Sequence, residues 1–220
     1  MIPREPLVRW DWVLAHAGEV QERFLEHLLL TALAVSVGFA LSFALALLAR
    51  RQAGLRRLVL SAAATLYTVP SLALFALLVP VTGLTPLTAE IGLVSYTLLI
   101  LVRSVLNGLD SVPAEVRETA VGMGYRPRQL LWRVELPLAV PVIVGGLRVA
   151  TVTTIGLVTV TALIGEGGFG YFILQGMQRF FTTPLIVGAT LSVALAVLAD
   201  GLLVLVERWA TPWARPGSGA

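Results

Sequence analysis

Cysteine and lysine are absent from the sequence, and histidine occurs only twice. Without cysteine the chain offers no disulfide bond and no thiolate ligand for a metal or redox centre. The two histidines, His16 and His27, both lie near the N-terminus, so no catalytic or metal cluster built on histidine is expected. Every basic residue is therefore an arginine, which we interpret as a genomic compositional bias rather than as part of a mechanism.

Charged residues of either sign are also scarce. They make up 13% of the 220 residues, against about 25% in soluble domains, while hydrophobic residues make up 57%. This composition predicts an integral membrane protein with one compact domain in the lipid bilayer. The net charge is +3, but the arginines occupy short loops between apolar segments, so no nucleic-acid partner is expected.

Five apolar segments reach the length of about 20 residues that a helix needs to cross the hydrocarbon core of a bilayer. They are 28–49, 58–81, 87–109, 138–164 and 184–206. The sequence therefore predicts an all-α integral membrane protein with about five transmembrane helices. Its predicted parts are an N-terminal segment 1–24, a transmembrane domain 25–206 and a tail 207–220.

The arginines are unevenly distributed among the loops. The first connection, the third connection and the C-terminal tail contain Arg50, Arg51, Arg56, Arg57, Arg117, Arg126, Arg128, Arg133, Arg208 and Arg215. These three regions share one side of the membrane if five spans alternate. Because cytoplasmic loops collect arginine, we expect the N-terminus outside the cell and the C-terminal tail in the cytoplasm.

The third connection, residues 111–137, is a polar insert in this apolar chain. Ser111 and the acidic residues after it are typical of the start of a helix. Gly122 and Gly124 are expected to weaken or end that helix, because glycine readily adopts a left-handed conformation. A second short helix is predicted to begin at Pro127, and Pro137 is predicted to open the fourth span. The expected result is a helix-turn-helix-like elbow at the cytoplasmic surface.

The insert carries the spaced pattern E-x-A-x3-G-x9-[IV]-x-L-P, beginning at Glu118. This pattern resembles the EAA loop of permease subunits of bacterial ATP-binding-cassette (ABC) importers. Thr119 departs from it, since the family usually has alanine there, but threonine is also small. By this resemblance the elbow is a coupling helix that docks in a groove on a separate ATPase subunit. The residues assigned to this coupling are Glu118, Thr119, Ala120, Gly124, Arg128, Leu136 and Pro137.

No G-x-x-x-x-G-K-[ST] phosphate loop occurs in the sequence. ATP and Mg²⁺ are therefore expected on the partner ATPase, and we expect this chain to bind no cofactor and to have no enzymatic activity. ATP binding is expected to move the elbow as a rigid lever between two states.

A wider resemblance covers residues 27–177. The stretches "LYTVPSLALFALLVPVTGL", "AVGMGYRPRQLLWRVELPLAVPVIVGGLR" and "ALIGEGGFGYFI" together resemble permeases for quaternary-ammonium osmoprotectants such as glycine betaine, carnitine and choline. Two departures are Glu166, where the family commonly has a small residue, and Ser104-Val105, where Asn-Thr commonly follows the arginine. Importers of methionine share much of the pattern, so a permease for methionine or another amino acid is the alternative.

The resemblance implies the fold of an ABC importer permease, similar to that of methionine importers, in a bacterial cytoplasmic membrane. It also implies a second permease copy, identical or paralogous, and a substrate-binding protein that holds the trimethylammonium group in an aromatic cage. Because only a short tail follows the last predicted span, we expect that binding protein to be a separate polypeptide.

Seven residues are candidates for the translocation path. In the second span Pro70 is expected to kink the helix, as part of a gate or as a static bend. In the fourth span a stripe of threonines either lines a weakly polar passage or packs against another helix. In the loop that follows, Glu166 either attracts an ammonium group at the outer mouth or is merely solvated. The candidates are Tyr67, Pro70, Ser71, Thr151, Thr154, Thr161 and Glu166.

Charges within the spans need partners or access to the membrane surface. Arg103 and Arg148 are expected to reach the surface, and Asp110 or Glu135 is a possible partner for one of them. Asp200 has no assigned partner. A membrane-embedded enzyme is the alternative of a different class, but the sequence has no H-E-x-x-H motif and no nucleophile with an evident base. A small assembly subunit without a path is a third alternative.

Overall fold

The computed structural model describes residues 6–212, which form helices joined by short turns, with no strand in that range. The predictions that concern residues 1–5 and most of the tail, including Arg215, lie outside the described residues. The helices are α1 Trp10–Ala15, α2 Ala17–Ala49, α3 Ala53–Thr68, α4 Ser71–Thr82, α5 Pro86–Asp110, α6 Ala114–Gly122, α7 Pro127–Leu130, α8 Leu136–Val158, α9 Gly170–Gln178 and α10 Thr182–Ala210.

Four helical stretches are long and apolar enough to cross a membrane: Ala17–Ala49, Pro86–Asp110, Pro127–Ile164 and Thr182–Ala210. A fifth is obtained if α3 and α4 count as one broken span, because together they pass the same test. The prediction of an all-α protein with about five spans is confirmed. The first span begins earlier than predicted, since α2 already starts at Ala17 within the predicted N-terminal segment.

The second predicted span is broken rather than kinked. α3 ends at Thr68 and α4 begins at Ser71, with a bend of 96° between the two helices. Pro70 lies at the break with ψ of 134°, outside the helical range. Proline has no N–H to continue the hydrogen bonding of α3, and it disfavours helical geometry at the residue before it, Val69.

Two predictions about the insert are wrong. Pro137 does not open the fourth span, because the helix that begins at Pro127 runs on to Ile164. A wide π-helical turn, Leu131–Glu135, joins α7 to α8, and such a turn relieves the crowding that a proline ring causes in a regular helix. Ser111 does not cap α6, since its hydroxyl donates to the Gly108 carbonyl at the end of α5.

Among the described residues the chain divides into two compact units. Unit 1 comprises residues 6–36, 69–94 and 152–198. Its core consists of Leu30, Ala34, Phe75, Ala89, Leu93, Val158 and Ile164. Unit 2 comprises residues 37–68, 95–151 and 199–212. Its core consists of Ala46, Val102, Val105, Leu106, Leu109, Leu136, Ala139 and Ile143.

Close helix contacts within unit 2 depend on small residues. A Cβ atom added at Gly38 would lie 1.9 Å from the Thr97 hydroxyl, and one added at Gly146 would lie 1.9 Å from the Ser104 hydroxyl. Small residues let helix backbones approach closely in membranes, where van der Waals packing drives association. The same core positions the polar insert, because Leu136 and Leu109 belong to it.

Candidate functional site

The polar insert begins with α6, and Gly124 terminates the helical turn that follows it. Gly124 has φ of +86°. Its N–H donates to the Val121 carbonyl at 2.9 Å, and the Tyr125 N–H donates to the Ala120 carbonyl at 3.1 Å. This pair of bonds is the Schellman arrangement, which satisfies the last carbonyls of a helix. The prediction of a left-handed glycine at the end of the helix is confirmed for Gly124, whereas Gly122 is still the last residue of α6 and has no positive φ.

The residues assigned to ATPase coupling divide into a surface group and a buried group. Glu118, Thr119, Gly124 and Arg128 are exposed. Ala120, predicted to lie at the contact, is only 1% exposed; it packs inside the insert, because it lies on the face of α6 opposite to solvent. Leu136 is buried and Pro137 half-buried, so these two residues also contribute to packing.

Two apolar side chains on the insert surface were missed. Val121 is 58% exposed and Met123 is 67% exposed, and both lie between the motif residues Ala120 and Gly124. Together with the exposed residues of the motif they form a mixed apolar and charged surface, which we call the insert face: Glu118, Thr119, Val121, Met123, Gly124 and Arg128. The signal available in the sequence was that both are apolar residues that lie within the motif of a polar insert.

One buried carboxylate holds the insert to the helices around it. Glu135 is 2% exposed, and Arg50 at the end of α2 places Nη2 at 3.0 and 2.7 Å from its two oxygens. Arg117 of α6 places Nε at 3.2 Å from Oε1 of the same carboxylate and donates from Nη2 to the Leu109 carbonyl at the end of α5. The hydrogen bonds from Arg50 are charge-assisted and directional. The contact of Arg117 with Glu135 is an ion pair in which Nε makes no hydrogen bond, and it attracts α6 toward the start of α8.

The other ion pairs of unit 2 also differ from the prediction. Asp110 pairs with Arg56 at 2.6 Å in an exposed position. Arg148 forms a bidentate ion pair with Asp200, with hydrogen bonds of 2.8 and 3.0 Å. Its Nη1 also lies 3.4 Å from the Glu207 carboxylate. The partner missing for Asp200 is therefore Arg148, and neither Asp110 nor Glu135 pairs with it. Fifty-two positions separate Asp200 from Arg148, so only the helix packing reveals the pair.

In unit 1 the glycine-rich loop after α8 is bound to α2 through two side chains. The Gly168 N–H donates to the Glu26 carboxylate at 3.0 Å, and the Phe169 N–H lies 3.3 Å from Nδ1 of His27. Nε2 of the fully buried His27 lies 3.1 Å from the Ile155 carbonyl, which can only accept. His27 is thus the neutral tautomer that donates from Nε2 and accepts at Nδ1.

Replacing His27 with leucine is expected to destabilise the protein by about 2 kcal/mol, because a buried carbonyl and a buried N–H each lose their partner. His16→Leu is the matched control, since His16 is half-buried and its Nδ1 lies 2.8 Å from the Trp12 carbonyl, which is only one helical turn away. Thermal unfolding of the purified variants measures the difference. Equal melting temperatures for the two variants would contradict the assigned role of His27.

Glu166 lies half-buried, and the charged side chains of Glu26 and Arg23 influence its carboxyl group. Burial raises the pKa of the Glu166 carboxyl above its usual value, the nearby Glu26 carboxylate adds to the rise, and Arg23 opposes it. The Arg23 guanidinium lies 2.6 Å from Glu26 and 4.1 Å from the centre of the Tyr171 ring. One carboxylate and an aromatic face thus contact the Arg23 guanidinium, a combination that also binds cationic ligands in proteins.

The other predicted path residues differ in their exposure within their own units. Tyr67 is exposed and packs edge-on against Tyr96 at 5.8 Å between ring centres. Thr154 and Thr161 are buried within the chain, and Thr161 lies in the 3₁₀ segment Thr159–Ile164. The angular spacing of a regular α-helix therefore does not extend to Thr161. This burial favours helix packing over the lining of a passage.

The three remaining candidates are Pro70, Ser71 and Thr151. Pro70 is exposed and Ser71 half-buried at the break between α3 and α4. Thr151 is half-buried, and its hydroxyl donates to the Leu147 carbonyl one turn earlier. Within residues 6–212 no group of three or more histidine, aspartate or glutamate side chains is placed to hold a metal ion.

Residues 28–212 match the family model described as "binding-protein-dependent transport system inner membrane component". The chain belongs to this family. Members of the family are transport permeases, so the prediction of an ABC importer permease rather than an assembly subunit is confirmed, and the family description names an inner-membrane location.

Curated relatives extend this assignment over most of the chain. The osmoprotectant import permease protein OsmW of Salmonella typhimurium is 38% identical over 91% of this chain and 96% of its own length. The choline transport system permease protein OpuBB of Bacillus subtilis is 31% identical over 92% of this chain and 93% of its own length.

A solved structure confirms the predicted fold. A chain of the inward-facing MetNI methionine ABC transporter superimposes with a TM-score of 0.77, over 87% of this chain and 96% of that chain. The identity between the two is 22%, so this likeness concerns the fold alone. The permease fold similar to that of methionine importers is thus present.

Proposed function

We propose that the chain forms the membrane path of an importer for quaternary-ammonium osmoprotectants, and that the insert face docks on a separate ATPase. The observation that carries the coupling role is the spaced motif on an exposed surface whose base is held by the buried Glu135. A docking element must be accessible, and it must also be rigid enough to transmit a displacement.

The route of transmission follows from the continuous helix Pro127–Ile164. A displacement of the insert face moves α7, and α7 is joined to α8 through the helical turn Leu131–Glu135 without a loop in between. Glu135 adds a second connection, because it binds α6 through Arg117 and the end of α2 through Arg50. The nucleotide-dependent states of the ATPase thereby bias the position of the spans.

The proposed arrangement places the N-terminus outside the cell and the insert, with the C-terminal tail, in the cytoplasm of a bacterium. The arginine-rich loops support this orientation. The expected partners are the ATPase that binds ATP and Mg²⁺, a second permease copy that is identical or paralogous, and a separate substrate-binding protein. The family description, which names binding-protein-dependent transport, supports the last of these.

The names of the relatives support the proposed substrate class, since they specify osmoprotectants and choline. The test is uptake of labelled choline, glycine betaine, carnitine and methionine by cells that lack their own importers and express this chain with its ATPase and binding protein. Uptake of the trimethylammonium compounds without uptake of methionine is the expected result. Transport of methionine alone would replace the proposed substrate class by an amino acid.

Glu166 is proposed to attract the ammonium group of a cationic substrate at the outer mouth of the path. Glu166→Gln is expected to raise the KM for choline about five-fold, since two unit charges 4 Å apart attract each other by about 1 kcal/mol when fully solvated by water. The KM for glycine betaine should change less, because its own carboxylate offsets the attraction. The exposed Glu22 on α2 gives the control variant Glu22→Gln.

The ionisation of the Glu166 carboxyl group should make the KM for choline depend on pH. Because the pKa of Glu166 is raised, its charge is present above that pKa and is lost as the pH falls through it. The KM of the wild-type protein for choline is therefore expected to rise with acidification, whereas the Glu166→Gln variant should lack this component. Identical pH profiles and KM values for the two proteins would remove Glu166 from the path.

A further inference from the structure

A cavity of about 630 Å³ lies in unit 2, where the end of α2 meets the start of α7. Four arginines line it, Arg50, Arg51, Arg126 and Arg128, and its other lining residues are apolar. A smaller cavity of about 430 Å³ shares Arg126 and Arg128 and adds Arg133. Among residues 6–212, no acidic side chain lines either cavity.

Three of the four arginines in this cavity have no acidic partner in the described chain. Arg50 pairs with Glu135, but within residues 6–212 no aspartate or glutamate pairs with Arg51, Arg126 or Arg128. Several unpaired guanidinium groups around one space repel each other, and an anion with oxygen acceptors relieves that repulsion. The chemistry of the cavity is therefore that of a phosphate site.

The walls of the cavity indicate that the phosphate belongs to a lipid. Leu47 belongs to the membrane-spanning part of α2 and lines the cavity together with Trp132. The ring of Trp132 lies 6.3 Å from that of Phe43, and the side chain is 54% exposed. Tryptophan is enriched where the hydrocarbon core meets the headgroups. The cavity therefore lies at the boundary between apolar and polar surroundings.

An apolar surface for the acyl chains continues from the cavity along α2. Val37, Leu41, Ala44 and Leu48 are all exposed. Their spacing of four, three and four residues places them on one face of the helix. Arg51 follows three residues after Leu48, so the same face ends at an unpaired arginine of the cavity. A soluble phosphate or an acidic protein surface would make no use of this stripe.

We propose that this arginine cavity binds the headgroup phosphate of an anionic phospholipid, whose acyl chains lie along the exposed face of α2. The proposal is independent of the transported substrate, because it concerns a surface that the path residues do not include. It also differs from the insert face, with which it shares only Arg128.

The test is lipid retention by the full-length chain, purified from bilayers of phosphatidylcholine and phosphatidylglycerol in equal parts and examined by native mass spectrometry. The wild-type chain is expected to retain phosphatidylglycerol in preference to phosphatidylcholine. The double variant Arg51→Gln with Arg126→Gln should lose this preference, by about five-fold for each arginine removed. These two residues lie outside the proposed ATPase contact.

The matched control is Arg57→Gln with Arg179→Gln, which removes the same charge at exposed positions that line neither cavity. It should retain phosphatidylglycerol as the wild type does. Equal retention of both lipids by the wild type, or equal losses in the two double variants, would overturn the proposal. Complete displacement of phosphatidylglycerol by excess inorganic phosphate would overturn its lipid part, since a free phosphate then suffices. None of these results depends on transport, so they leave the proposed function untouched.

Discussion

Replacing Gly124 with alanine is expected to reduce substrate uptake about ten-fold while leaving the chain in the membrane. Gly124 has φ of +86°, and a residue with a Cβ atom pays roughly 1–2 kcal/mol in a left-handed conformation. An alanine would shift the turn after α6 toward other conformations. The insert face would then be correctly presented in only a fraction of molecules.

Gly122→Ala is the matched control for this prediction, because it lies two residues away and makes the same chemical change. A Cβ atom would meet no atom within 4 Å at either glycine, and only Gly124 has positive φ. Gly122 is the last residue of α6, so alanine there should be neutral or stabilise the helix by up to about 1 kcal/mol. Uptake rates normalised to the amount of protein in the membrane measure both effects. Similar uptake by the two variants would show that the turn geometry is unimportant for coupling.

Replacing Glu135 with glutamine is expected to destabilise the protein by about 3 kcal/mol and to abolish most uptake. The carboxylate is buried and binds both Arg50 and Arg117. The Arg50 and Arg117 side chains are 28% and 34% exposed, so the change leaves two partly buried guanidinium groups without their shared counter-ion, which is destabilising. The Glu135→Gln change also releases α6 from the end of α2, so a displacement of the insert face would no longer be transmitted from α6 to α2.

Asp110→Asn provides the comparison, because the pair between Asp110 and Arg56 is also short but exposed. Exposed pairs contribute about 0–1 kcal/mol, so this variant should unfold near the wild-type temperature. Thermal unfolding of the purified proteins, with uptake measured in parallel, separates the two cases. A melting temperature for Glu135→Gln that matches the one for Asp110→Asn would refute the structural role of the buried carboxylate.

The part of the candidate site that could be predicted is the part defined by the spacing of motif residues along the chain. The interval from Glu118 to Gly124 identified the insert, and the conformation of Gly124 follows from the residue type alone. Accessibility did not follow, since Ala120 is buried and Met123 is exposed. Both residues lie in one short segment of similar local character, and only the packing of α6 decides which side chain faces solvent.

The sequence by itself determined the class of the protein, the number and approximate limits of its spans, and the position of the insert. These properties depend on local quantities: apolar length, glycine and proline conformations, and fixed spacings within a motif. The tertiary structure alone decided the partners of the charged residues. It also decided the convergence of Arg51, Arg126 and Arg128 on one cavity. Ion pairs and cavities join residues that are distant along the chain, such as Arg50 and Glu135, 85 positions apart, and no local pattern specifies which helices become neighbours.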